Sequence, residues 1–210
     1  MLSFFSLTKQ NWLAALRNVS FRNKFIPVCI LLAGILSAMP FFFQAIEKRD
    51  GVLLHDWILD KLPSYNLSVL IFIVIWSIAL FAIIRAMIDP YIFLLFAWSY
   101  IFVTVMRALT ITFIPLNPPM GLEQLIDPLS NTFYGNATIT KDLFFSGHTT
   151  TIFLIFLCLK KPADKILTLT ATFFLAILLM LQHIHYVIDI VAAPVFTYIS
   201  YLIGKKIVYR

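Results

Sequence analysis

Charge is what this chain has least of. Asp, Glu, Lys and Arg make up 12% of its 210 residues, against 61% hydrophobic. So sparse a polar surface excludes an ordinary soluble domain, in which about 25% of residues are charged. Cysteine is almost absent. The two present, Cys29 and Cys158, fall in apolar runs away from oxidising solvent, so no disulfide is expected. A secretory leader pattern is missing too: Lys9 follows the first short apolar stretch and no cleavage site closes the next. Acidic residues number 10 against 16 Lys and Arg, and where the basic ones fall explains that excess.

What the chain has in abundance is apolar length. Uncharged runs occupy Phe25–Ile46, Leu62–Ile84, Pro90–Met106, Leu143–Leu159, Ile166–Ile184 and Ile190–Gly204, most of them near the ~20 residues that a bilayer helix needs. The expectation is an all-α integral membrane protein, a six-transmembrane helix bundle whose fourth and sixth spans are short. Lys and Arg are retained on the cytoplasmic side of such helices. Eleven of the 16 lie in the N-terminal arm, the second-to-third turn, the fourth-to-fifth turn and the C-terminus, whereas eight of the 10 acids lie on the other side. The two faces carry +9 and −3, together the formal +6. Both termini are therefore expected to be cytoplasmic. The basicity follows from topology, and no nucleic-acid partner is read into it.

Within Asn11–Arg22, Trp12, Leu13, Leu16 and Val19 project on one arc and Asn11, Arg17, Asn18 and Arg22 on the other, the pattern of an interfacial helix. Residues 1–24 thus read as an N-terminal amphipathic cytoplasmic arm and residues 25–210 as the transmembrane catalytic domain. Val52–Leu62 has the pattern of a short helix skimming the outer leaflet. Leu116–Lys141, rich in Pro, Gly and Asn, is the longest connection and the lid candidate.

Ionisable residues within spans are functional candidates, because hydrocarbon is costly for them. Arg107, His148, His185 and Asp189 all fall on the periplasmic or lumenal side at similar depth. A helix beginning at Ser146 presents unpaired N–H groups and the positive end of its dipole to an anion. From Ser146 to Lys160 it rises only about 21 Å against a ~30 Å hydrocarbon core, so either the lysines snorkel or His148 sinks to the depth of a lipid phosphate. The guanidinium fork of Arg107 suits phosphate oxygens. The spacing of His185 and Asp189 places them on one helical face, where Asp189 fixes the tautomer and leaves the other ring nitrogen of His185 as a nucleophile. His148 is then available as general acid. Plainer readings make Arg107 a snorkelling side chain, Ser146 an N-cap, His148 an interfacial histidine and His185–Asp189 a structural pair. A metal site from His183, His185 and Asp189 requires the helix to end between the two histidines, since i and i+2 point about 200° apart.

Asp142-Leu-Phe-Phe-Ser146-Gly147-His148-Thr149 and His185-Tyr-Val-Ile-Asp189 resemble the two catalytic motifs of the sphingomyelin synthase-related branch of the type 2 phosphatidic acid phosphatase superfamily. Arg107-Ala-Leu-Thr110 is similar to that branch's motif at the outer end of its third helix. The resemblance implies a phosphohistidine intermediate: His185 as nucleophile, Asp189 as its orienting carboxylate, His148 as acid, and Arg107 with the Ser146–Gly147 backbone on the phosphate. It implies no metal and no cofactor.

The departures from the pattern are informative. Phosphatases of the superfamily generally have an arginine six positions before the nucleophile, where this chain has Leu179, and Phe145 stands where they have the proline of Pro-Ser-Gly-His. The missing arginine leaves the site with fewer cations, which suits a singly charged phosphodiester better than a monoester dianion. The expected activity is transfer of a phosphorylated headgroup from a membrane phospholipid donor to a lipid acceptor such as ceramide or diacylglycerol. The alternative is a lipid phosphate phosphatase with water as acceptor, and behind it a non-catalytic transporter or scaffold.

Overall fold

A computed structural model describes residues 4–125 and 139–210. Among them are seven α-helices: α1 (Phe4–Arg17), α2 (Val19–Glu47), α3 (Ser68–Ile88), α4 (Pro90–Phe113), α5 (Gly147–Cys158), α6 (Pro162–Leu181) and α7 (Val187–Tyr209). Five of these, α2, α3, α4, α6 and α7, are long and apolar enough to cross a membrane. The chain is an integral membrane protein.

The fourth expected span is not of that kind. The run Leu143–Leu159 is broken at its start, because residues 143–146 are not helical and α5 begins only at Gly147. Its 12 residues rise about 18 Å, well short of a ~30 Å hydrocarbon core. A six-transmembrane bundle is therefore not what the helix lengths support, since five helices among the described residues have spanning length. An uncharged run records only that a segment avoids water, and α5 meets that condition by packing on α4, α6 and α7.

Local chemistry explains where the helices begin. Asn18 ends α1 and caps α2, its side chain accepting from Phe21 N at 3.3 Å. The interfacial helix expected over Asn11–Arg22 is thus split in two. Its Trp12 and Asn11 donate to the carbonyls of Met87 and Ile88 at 3.0 and 2.7 Å, which docks α1 on the end of α3. Asp89 caps α4 by accepting from Tyr91 N at 3.0 Å, with Pro90 in the first turn, where its missing N–H costs nothing. Pro162 opens α6 in the same way.

The helix α4 packs most extensively on α7, and α5 lies against α6 and α7. At one crossing Gly204 faces Ser99 so closely that a Cβ would fall 2.2 Å from the Ser99 Oγ and 2.9 Å from its backbone N. Small residues are how helices approach each other where no hydrophobic force draws them together. By contrast α2 and α3 bury few of their apolar side chains, as helices in contact with lipid do.

One end of the bundle gathers basic residues. Lys24 donates to the Val208 carbonyl at 3.0 Å, Lys160 pairs with Asp89, and Arg85 pairs with the buried Asp164 at 2.8 Å. At the other end the connections between helices form a cap. Val52 and Leu116 meet in a parallel bridge, and Leu59–Lys61 forms one 3-10 turn where a skimming helix was expected.

Candidate active site

Two loops and one helix end make the site. Arg107 lies within the last two turns of α4. Its Nε donates to the Phe145 carbonyl at 2.9 Å and an Nη nitrogen to the Asp142 carboxylate at 2.6 Å, which joins α4 to the loop before α5. The guanidinium then lies over Gly147, where a Cβ would sit 2.7–2.8 Å from three of its atoms. Only glycine leaves that space. Glu47, at the end of α2, steadies the same loop by accepting from Thr140 N and Oγ1 and Lys141 N at 2.6–3.0 Å.

Ser146 is the N-cap of α5 and is fully buried. Its hydroxyl accepts from Thr149 N and Thr149 Oγ1 at 3.4 and 3.2 Å, and its N–H donates to the Asp189 carbonyl at 3.1 Å. Its polar groups therefore hold the two motifs together. Gly147 and His148 follow in the first turn of α5, and both line the cavity described below.

His185 is not on a helix. The preceding helix α6 ends at Leu181, and His183, with φ of 55°, closes it in the left-handed conformation. Backbone bonds from His183 N to Met180 O at 3.0 Å and from Ile184 N to Leu179 O at 3.2 Å complete a Schellman motif. The helix α7 starts only at Val187, with Asp189 in its first turn accepting from Tyr186 N at 3.1 Å. That capping contact, rather than a shared helical face, brings His185 to Asp189, whose Oδ2 lies 3.5 Å from the His185 Nδ1. This exceeds the 2.7–3.2 Å of a formed hydrogen bond, and such contacts commonly tighten when substrate binds. The His185 Nδ1 and the Asp189 Oδ1 are both buried without a hydrogen-bond partner. The rings of His148 and His185 face each other with centroids 6.4 Å apart at 62°.

These groups open on a cavity of about 370 Å³. Its polar end holds Arg107, Asp142, Gly147, His148 and His185; its walls are Leu36, Met39 and Phe43 of α2, Phe72 and Ile75 of α3, and Ile152 and Ile155 of α5. Leu122, Gln124, Leu125, Ile139 and Thr140 close it from above, so both described ends of the lid candidate Leu116–Lys141 border it. Residues 126–138 of that segment lie outside the described residues.

Several contributors carried no signal of their own in the sequence. The Tyr186 hydroxyl donates to the Asn117 carbonyl at 2.8 Å and accepts from Leu54 N at 3.2 Å. Burial, and next to it the Asp189 and Asp56 carboxylates, push that phenol above its ordinary pKa, while the Leu54 hydrogen bond opposes them. Asp56 accepts from Val187 N at 2.8 Å and, through its other oxygen, from Ile58 N and Leu59 N at 3.2 Å. Gln182, fully buried, accepts from Leu67 N at 3.0 Å and donates to Ser68 Oγ at 2.8 Å. Together they clamp the His185 segment between the loops at this end of the bundle. His183 turns its Nδ1 to the Met120 carbonyl at 3.0 Å, and no three His, Cys, Asp or Glu side chains among the described residues converge to hold a metal ion.

Residues 141–206 match the family described as PAP2 superfamily C-terminal. A C-terminal domain of the type 2 phosphatidic acid phosphatase superfamily is thus present, over about a third of the chain. It contains Asp142, Ser146, Gly147, His148, His185 and Asp189 but not Arg107 or the cavity walls of α2 and α3. No curated protein and no solved structure matches the chain.

Proposed function

We propose that this protein is a lipid phosphotransferase of the sphingomyelin synthase type, moving a phosphorylated headgroup between membrane lipids through a phosphohistidine. The observation that carries the reading is the pair of imidazoles, His148 and His185, facing each other 6.4 Å apart across the mouth of one cavity, close enough for both to reach a phosphate between them. The Nε2 of His185, on the far side of the ring from Asp189, attacks phosphorus. The ester bond to the diacylglycerol oxygen breaks, and His148 gives that oxygen its proton. His148 then takes the proton of the acceptor hydroxyl as that oxygen displaces His185. Asp189 holds the ring and stabilises the positive charge that develops on it. The orphaned atoms of the His185–Asp189 pair support this role, since unpaired buried polar groups are concentrated where function requires them.

Apolar walls on α2, α3 and α5 suit acyl chains, and the polar end suits a headgroup. Lys24, Arg85 and Lys160 at the opposite end of the bundle support a cavity on the non-cytoplasmic face. Residues 1–24 then lie at the cytoplasmic interface. Water as acceptor makes the same intermediate into that of a lipid phosphate phosphatase, which the PAP2 match of residues 141–206 favours as the second reading.

The test is incubation of the purified protein with a headgroup-labelled phospholipid, with and without ceramide or diacylglycerol. Label arriving on the added acceptor supports transfer, and label arriving in water supports the phosphatase. Label that stays on the donor in both, with turnover no different in His148→Ala, returns the chain to a transporter or scaffold.

A further inference from the structure

The roles above make no use of Asp142, yet it sits directly on the cation of the site. We propose that Asp142 is a specificity-determining residue: by neutralising Arg107 it restricts the cavity to singly charged phosphodiesters and excludes phosphomonoester dianions. The inference rests on the reading of this cavity as a phosphate site and names the charge class of what enters it.

The charges at the polar end are few. The Arg107–Asp142 contact is 2.6 Å, with side-chain exposures of 12% and 27%, so solvent screens it little. Of the residues lining the cavity, Arg107 and Asp142 carry the formal charges, beside the imidazoles of His148 and His185. Behind His185 lies the fully buried Asp189. Lys141, the nearest other cation in sequence, directs its Nζ to the Arg49 carbonyl. Residues 126–138, outside the described residues, contain no Lys or Arg.

Arg107 and Asp142 cancel each other, so the proton that His148 carries as general acid is the one net positive charge that the polar end offers an incoming phosphate. A diester monoanion can share the guanidinium with Asp142. A monoester dianion must place its second negative charge within several ångströms of that carboxylate. At an effective dielectric of ~20, one unit charge at about 5 Å changes binding by on the order of 10²-fold. Asp142 is held where it is by the Glu47 bonds to Thr140 and Lys141, so it does not simply swing aside.

Binding of two small probes to the full-length protein in detergent, followed by thermal stabilisation at about pH 8, tests this. Methyl phosphate is then a dianion, its second pKa being near ~6, and dimethyl phosphate is a monoanion of similar size. The wild type should bind dimethyl phosphate the more tightly. Asp142→Asn should bind methyl phosphate at least about tenfold more tightly than the wild type does, and adding Arg107→Gln should abolish the gain. Asp142→Glu should keep the wild-type order. A wild type that prefers methyl phosphate overturns the proposal without any variant, as does an unchanged methyl phosphate affinity in Asp142→Asn. Turnover is not read, so a wild type with the expected charge preference that moves no headgroup would sink the transferase reading and leave this one standing.

Discussion

Replacing Gly147 by Ala tests whether the glycine of the Ser-Gly-His motif serves the backbone or the arginine above it. A Cβ at this position meets the Arg107 guanidinium at 2.7–2.8 Å, whereas ordinary contact begins near 3.4 Å. The guanidinium must therefore move by roughly 0.7 Å or more. Two hydrogen bonds hold it in place, one to the Phe145 carbonyl at 2.9 Å and one to Asp142 at 2.6 Å, and both resist such a shift. Displacement of about 1 Å in a positioning group costs on the order of 10²-fold in rate. Headgroup transfer by Gly147→Ala should fall by about that factor. The helix itself loses nothing, since Ala is the better helix former. Weakening two bonds to a charged group costs about 1–3 kcal/mol, so the protein should still fold, with a measurably lower melting temperature. The assay is label transfer in mixed micelles alongside thermal unfolding, for Gly147→Ala, Arg107→Ala and the double variant. If the glycine acts through Arg107, the double variant should be no slower than Arg107→Ala alone. Full activity in Gly147→Ala, or losses that simply multiply in the double variant, would refute the reasoning.

Three further outcomes are expected. His185→Ala should abolish turnover and any acid-labile phosphoenzyme, whereas His148→Ala should lose ~10²–10⁴-fold on a lipid donor and much less on a p-nitrophenyl phosphodiester, whose leaving group scarcely needs a proton; equal losses on both substrates would reject the division of roles. Asp189→Asn should keep the capping contact to Tyr186 N and the fold but lower turnover by orders of magnitude, because an amide cannot stabilise the charge developing on His185; full activity would make the pair structural. Tyr186→Phe removes the hydroxyl that joins Leu54 N to the Asn117 carbonyl and should cost about 1–3 kcal/mol in denaturant unfolding. Because the phenol's pKa is raised, the stability it confers is complete below its unfolded value of about 10 and is lost as pH rises through the folded value, so the variant should also show a shallower alkaline decline, and an identical decline would count against the assignment.

The fold was legible wherever composition alone decides. A chain this apolar has to place long helices in lipid, and the five helices of spanning length fall within or around five of the six uncharged runs. Hydropathy could not say what Leu143–Leu159 does, since it registers that a segment avoids water and not whether protein or lipid replaces the water. The difference lies in four residues, Leu143 to Ser146, that stay non-helical so that Phe145 O and Asp142 can reach Arg107. Similarly, amphipathic spacing across Asn11–Arg22 is blind to an N-cap, and Asn18 in the middle of that pattern divides one expected helix into two. Val52–Leu62 showed a helical arc of apolar residues, but Asp56 spends its carboxylate on three backbone N–H groups and folds the segment into turns.

The site was legible as a set of residue types at one end of the bundle, and less so as geometry. The i, i+4 spacing of His185 and Asp189 suggested a helical face, but the contact is made through a helix start, with Asp189 capping α7 and His185 two residues before it. Such a start is stiffer than a mid-helix pair would be. The Asp189 carboxylate fixes Tyr186 N, the Asp189 carbonyl receives Ser146 N, and the Tyr186 hydroxyl is tied to the loops of Leu54 and Asn117. Each connection restrains a different bond around His185, so its ring is positioned by backbone on both sides rather than by its own single contact to Asp189. The same logic accounts for Ser146, whose N–H and hydroxyl are both engaged within the protein: the serine secures the two motifs to each other, and Arg107, Gly147 and the imidazoles are what remain to meet a phosphate.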